Sequence, residues 1–203
     1  GQPIVLIDDQ KVFDVTSLQN EQAMEKITGA LEGSTVGANS ILLLRLAKTV
    51  EEETIFLTTE EFFGLTTRFA PDQLIRSLEK TFAFGILGWS GNQPFLIFKT
   101  DSFENTSSGM TEWERTMPME LKTLFETENG WAETTPAFGP GSTSQSQFGN
   151  TVVSNLDARQ LTNSAGATVL IYSFPDTNTL IITTNEQPFA ALVTKLRNAK
   201  LVR

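Results

Sequence analysis

Two apolar runs, "FAFGILGW" at 82–89 and "PFLIFKT" at 94–100, face each other across Ser90-Gly91-Asn92-Gln93. Strand-length apolar segments separated by four turn-forming residues predict a β-hairpin. Upstream, "SILLLRLA" at 40–47 is almost unbroken in apolar side chains. Such a run predicts a strand covered on both faces, because a half-exposed strand would alternate. These segments commit the chain to a sheet that needs helices laid over it.

The rest of the chain supplies both. "PIVLID" (3–8) and "KVFDV" (11–15) read as strands joined by a tight turn at Asp8-Asp9-Gln10, and "TIFLT" (54–58) as a further short strand. "TVVSNLDARQLT" (151–162), "ATVLIYSF" (167–174) and "TLIITT" (179–184) read as three more, with turns at Asn163-Ser164-Ala165-Gly166 and Pro175-Asp176-Thr177-Asn178. Ser17 is placed to cap a helix running to about Glu32, with Leu18, Met24, Ile27 and Leu31 inward. Thr58 and Glu61 have capping-box spacing before Phe62 and Leu65. Pro71 suits the first position of a helix over "PDQLIRSLEK", with Leu74, Ile75 and Leu78 on one side.

Phe103, Met110, Trp113, Met117, Leu121 and Leu124 form an apolar helix stripe after a cap at Asp101 or Ser102. Pro118 should kink that helix, or restart it with Met117 as cap. A last helix from about Asn185 carries Phe189, Leu192, Val193 and Leu196. The fold class is α+β, a mostly antiparallel sheet built from hairpins with helices packed on it. One domain over 2–203 is expected; a partition into sub-domains at about 2–58 and 59–203 stays open. Residues 127–150 turn to Gly, Pro, Ser, Thr and Gln and read as a long polar loop.

Composition narrows the function. The chain has no cysteine and no histidine. Thiolate nucleophiles, Ser-His-Asp triads and the usual zinc and haem ligand sets are therefore excluded. A net charge of −9 over 203 residues opposes nonspecific nucleic-acid or anionic-membrane binding. Lys195, Arg197, Lys200 and Arg203 read as cations favoured at a helix C-terminus. No run approaches the ~20 apolar residues of a membrane span. The Gly-Gln-Pro start reads as an excised fragment with Gly1 as a scar.

The remaining chemistry-bearing residues are poorly arranged for catalysis. Glu112 and Glu114 lie two apart on a helix and point in different directions. Asp8, Asp9 and Asp14 lack EF-hand spacing, and Glu51-Glu52-Glu53 reads as a solvated connection. Gly85, Gly88 and Gly91 sit in the hairpin without a following Gly-Lys-Ser/Thr. Lys99 precedes Ser102, the reverse of the Ser-x-x-Lys order. Neither a cofactor nor a metal site is expected. Trp131, Phe138 and Phe148 stand in the polar loop as candidate partner-binding aromatics; the alternative is that they tack the loop to the body. The strands of 151–184 include a sheet edge open to strand addition.

Gly109, Met110, Trp113 and Glu114 form a Gly-Met-x-x-Trp-Glu core, and residues 168–196 read "TVLIYSFPDTNTLIITTNEQPFAALVTKL". On these segments, Thr58–Phe125 and Ala167–Leu196, the chain resembles an uncharacterised domain of proteins from small-genome candidate-phyla bacteria. The resemblance implies a soluble domain that follows a polar N-terminal region and a single membrane span outside this sequence. It would then stand at the cell envelope, on a side of the membrane the resemblance does not fix. It carries no activity and no site residues. The combined expectation is a non-enzymatic interaction or assembly domain with a protein partner; the alternative is a carboxylate-dependent hydrolase acting on envelope glycan.

Overall fold

The computed structural model describes residue 5 and residues 7–132 and 147–201. Among these residues, nine strands form one sheet: β1 Asp9–Asp14, β2 Ile41–Val50, β3 Glu53–Phe56, β4 Leu78–Gly88, β5 Asn92–Thr100, β6 Phe148–Val153, β7 Leu156–Thr162, β8 Thr168–Asp176 and β9 Thr179–Thr183. The helices are α1 Asn20–Glu32, α2 Thr59–Thr66, α3 Asp72–Arg76, α4 Phe103–Trp113, α5 Met117–Phe125 and α6 Glu186–Leu201. Strand order is β1-β2-β4-β5-β9-β8-β7-β6, with β3 beside β2. Every pairing is antiparallel except β1 with β2. One sheet thus runs through both stretches that the sequence leaves open as sub-domains.

The turn expected at Asp8-Asp9-Gln10 does not form, since Asp9 and Gln10 belong to β1, which pairs parallel with β2; most of the strand expected at 3–8 lies outside the described residues. Asp8 does not turn the chain. Its backbone N–H donates to Ile41 O at 3.0 Å, and its Oδ2 accepts from Ile41 N–H at 2.7 Å. β1 is thereby seated beside β2, and α1 makes the crossover that a parallel pair requires. Ser17 adopts a left-handed φ of 58° and lies before the helix. Gln19 is the N-cap, its N–H donating to the Gln22 side chain at 3.2 Å.

Helices cover both faces. Leu42, Leu44, Phe84, Ile86, Leu96, Phe98, Leu180 and Ile182 point to the layer holding Ile27, Phe62, Leu74, Trp113 and Leu121. Leu43, Phe95, Ile97, Ile171 and Ile181 point the other way, to Phe189, Leu192, Val193 and Leu196 of α6. β4 and β5 are buried on both sides, which explains their unbroken apolar runs.

Local signals operate largely as read. Thr58 and Glu61 exchange capping-box bonds, Glu61 N–H to Thr58 Oγ1 at 3.3 Å and Thr58 N–H to Glu61 Oε2 at 2.8 Å. Ser102 caps α4, and the helix restarts at Met117 with Pro118 in its first turn and Thr116 rather than Met117 as cap. α3 is shorter than expected, since Leu78 and its successors are drawn into β4. Gly109 is required by contact: a Cβ there would lie 2.7 Å from Leu74 Cβ, so α4 approaches α3 only without a side chain.

The largest difference is at 148–162. The stretch expected to be one strand is a two-residue hairpin, β6 and β7 turning at Ser154 (φ 55°) and Asn155 (φ 60°). Both central residues have positive φ, the geometry that matches strand twist in tight hairpins. β6 begins at Phe148, inside the region expected to be loop.

Candidate functional site

Among the described residues, one face of β6, β7 and β8 borders an open groove beside α4. The groove, of about 860 Å³, is lined by Phe103, Ser107 and Thr111 of α4 and by Val152, Arg159 and Phe174 of the strands, among others. Phe103 meets Phe174 edge-on, ring centres 5.1 Å apart, at one wall. Val152 at the other is 66% exposed.

The groove floor is held by one buried carboxylate. Glu114 is 1% exposed and accepts from Arg159 Nε and Nη2, each at 2.7 Å, and from the Tyr172 hydroxyl at 2.7 Å. Arg159 also donates from Nη1 to Asn150 Oδ1 at 2.6 Å and from Nη2 to Phe148 O at 3.1 Å. The side chain thus bolts β6 to the α4 end through β7 and β8. Burial, and after it the Glu114 charge and hydrogen bond, push the Tyr172 hydroxyl well above its ordinary value. Hydrogen bonding to Glu114 raises Arg159 in turn. The carboxylate's contacts are structural in kind: a bidentate guanidinium and a phenol satisfy it where no water reaches.

The sequence does not point to Arg159 or Tyr172 as partners of Glu114, which lie 45 and 58 residues away. One local signal exists. Met110, Glu114, Met117 and Leu121 step by four, three and four, which puts Glu114 inside the apolar stripe.

The loop aromatics are not surface features where they are described. Trp131 is 9% exposed and donates its indole N–H to Pro118 O at 3.0 Å. Phe148 is 6% exposed, with its ring centre 5.8 Å from that of Tyr172. Both tie the chain to the body, because large rings beside an open sheet face gain more from burial than from water contact. Phe138 lies outside the described residues.

The acidic groups do not assemble a metal site: no cluster of three or more possible ligands occurs among the described residues. Asp14 accepts from Thr16 N–H and hydroxyl, and these bonds hold it below the ordinary range. Glu51 and Glu52 take up a left-handed turn between β2 and β3. A cleft of about 620 Å³ near the start of β4 gathers Glu60, Asp72, Glu79 and Asp101, all solvent-exposed. None has the apolar enclosure that tunes a general acid. Lys99 Nζ donates to Thr179 Oγ1, and Thr179 is fully buried, so that hydroxyl is no accessible nucleophile.

Three ends of the sheet remain open among the described residues. β1 is fringed by Asp9, Lys11 and Asp14, and β3 is four residues long with Glu53 at its start. Both carry the charge or brevity that discourages pairing. β6, with sequence Phe-Gly-Asn-Thr-Val-Val, has no charge and no proline.

Comparison with protein-family models, curated proteins and solved structures finds no match. Among the described residues no helix is long and apolar enough to cross a membrane.

Proposed function

We propose that the chain is a non-enzymatic interaction or assembly domain, the soluble part of a membrane-anchored bacterial envelope protein, acting by strand addition at β6. The carrying observation is that, among the described residues, β6 is the last strand of the sheet and has no charge or proline, standing beside a groove with exposed Val152 and Phe103. Edge strands in monomeric proteins are ordinarily blunted, and β1 and β3 are. Strand addition draws affinity from main-chain hydrogen bonds and selectivity from alternate side chains, which the groove would receive. Neither role needs a nucleophile or a metal.

A photoreactive amino acid placed at Val152, with Ile55 on β3 as control, tests the reading in cells of the source organism. A protein adduct in the envelope fraction that forms from Val152 and not from Ile55 supports it. Equal labelling from both positions, or none from Val152, overturns it.

The competing carboxylate-dependent hydrolase would work at the cleft of Glu60, Asp72, Glu79 and Asp101, where four acids and the cations Arg76 and Lys80 line one space. Cleavage of purified envelope glycan that disappears in Glu79→Gln and Asp101→Asn would carry that reading instead.

A further inference from the structure

We propose that Asn129 is a site of spontaneous modification. Its side-chain amide is converted through a cyclic imide to aspartate and isoaspartate, and Asn163 is the latch that sets the rate.

Asn129-Gly130 is the only Asn-Gly step in the 203 residues. Asn129 is exposed, in the turn that joins α5 to the buried Trp131. Gly130 has a φ of 82°, a conformation that favours glycine. The turn therefore requires, next to Asn129, the one residue with no side chain to shield its own backbone nitrogen.

Other asparagines lack this combination. Asn20, Asn105 and Asn198 lie in helices, where the backbone is held by the helical ladder. Asn92 donates its side-chain amide to Leu31 O at 3.1 Å and to Ser34 O at 2.6 Å. Asn163 precedes a serine, and its Oδ1 accepts from the N–H groups of Ala165 at 3.1 Å and Ala167 at 3.0 Å.

The chemistry needs only water. The Gly130 nitrogen attacks Cγ of Asn129, forming an N–Cγ bond. The Cγ–Nδ2 bond breaks, and Nδ2 leaves as ammonia with the proton given up by the Gly130 nitrogen. Water then opens the five-membered imide. Attack at Cγ restores the main chain and leaves aspartate; attack at the main-chain carbonyl leaves isoaspartate, with the chain running through Cγ.

Two hydrogen bonds oppose the first step. The Gly130 N–H donates to Thr127 O at 2.9 Å, and the imide has no N–H to keep that bond. The Asn129 carbonyl accepts from Asn163 Nδ2 at 3.1 Å. Rotation about ψ of Asn129, which brings the Gly130 nitrogen to Cγ, swings that carbonyl away from Asn163. The turn thus reacts only when it opens, and opening requires release of the latch.

The product disturbs its own surroundings. Both outcomes add a carboxylate beside Glu128, and isoaspartate lengthens the main chain by one carbon. The Thr127–Gly130 bridge loses its register directly before Trp131, whose indole N–H is held by Pro118 O.

The test incubates the folded chain in mildly alkaline buffer and follows intact mass, peptide maps and isoaspartate-specific methylation. Asn129 should gain one mass unit before any other asparagine, and Asn129→Gln should abolish the reaction, since a longer side chain does not close the five-membered ring. In urea the unmodified chain should react at least about tenfold faster. Asn163→Asp keeps the Oδ1 acceptor for Ala165 and Ala167 but removes the donor to Asn129 O. It should speed the native reaction about fivefold, the worth of one hydrogen bond, and leave the rate in urea unchanged. Modification spread evenly over the asparagines overturns the site. So does an unreacted Asn129 in the folded chain once the urea-unfolded chain has reacted to completion. Equal rates in buffer and in urea overturn the latch, as does an unchanged native rate in an Asn163→Asp variant that keeps the folded circular dichroism signal.

Discussion

Replacing Glu114 by glutamine should be among the most costly near-isosteric changes in this chain. The glutamine keeps the shape but removes the charge, and turns an –NH₂ towards a guanidinium that has only donors. The wild-type carboxylate holds two Arg159 N–H bonds and one Tyr172 O–H bond, all at 2.7 Å. Hydrogen bonds to charged groups contribute about 1.5–3 kcal/mol each, and breaking a buried ion pair from one side costs about 3–5 kcal/mol. The Arg159 side chain is 30% exposed, so water can take up part of its stranded charge. The expected loss is therefore at the low end, about 3 kcal/mol. For a chain above 200 residues, that lowers Tm by roughly 6–12 °C. Urea unfolding followed by tryptophan fluorescence would measure it, provided the transition is two-state. Pairing with Arg159→Met closes a double-mutant cycle, with a coupling of at least about 1.5 kcal/mol expected. A Glu114→Gln loss under about 1 kcal/mol, or a double variant costing the sum of the singles, would refute the buried-anchor argument.

Tyr172 is the only tyrosine, so tyrosinate absorbance near 295 nm reports on it alone. Its hydroxyl is raised above 10.0 in the fold, so the neutral form is favoured there. Stability is then whole below about pH 10 and falls as pH rises above it; ionisation near pH 10 in the native state would contradict this. Glu61 is held low first by its bond from Lys48 and then by Thr58 N–H, so its contribution is present above the unfolded carboxylate value and lost as pH falls through the folded one. Lys48→Met should flatten that acid limb in urea titrations between about pH 5 and 3. Gly109→Ala should destabilise by about 1–3 kcal/mol through its clash with Leu74, and an unchanged melting temperature would show that α3 moves freely.

Much of the architecture was legible because its signals are local. The apolar runs of β2, β4 and β5, the Thr58–Glu61 box and the Phe189–Leu196 stripe each act over a few residues. Ser154-Asn155 was harder, since it lacks the glycine that usually announces a positive-φ turn. β1 is legible as a strand over 11–14, but its start at Asp9 and its pairing are not, because a parallel partner 33 residues away leaves no mark on the strand itself. The groove floor was illegible for the same reason, as Glu114, Arg159 and Tyr172 meet only once four strands are in register. Trp131 and Phe148 were ambiguous: polar neighbours in sequence say nothing about which ring finds a cavity in space.

The pairing of β5 with β9 sets the order in which this chain can be completed. Phe95 lies opposite Thr183, and the Thr183 hydroxyl closes on Pro94 O at 2.9 Å. On the ribosome, the β4–β5 hairpin emerges long before its neighbour, with Phe95 and Ile97 exposed on one face and an unpaired apolar edge beside them. Neither is covered until β9 and α6 have left the exit tunnel. Local hairpins should therefore form early, and the cooperative core only after α6 has emerged. During that interval the nascent protein is a substrate for holding chaperones, and a truncation before residue 179 would leave an aggregation-prone sheet rather than a smaller domain.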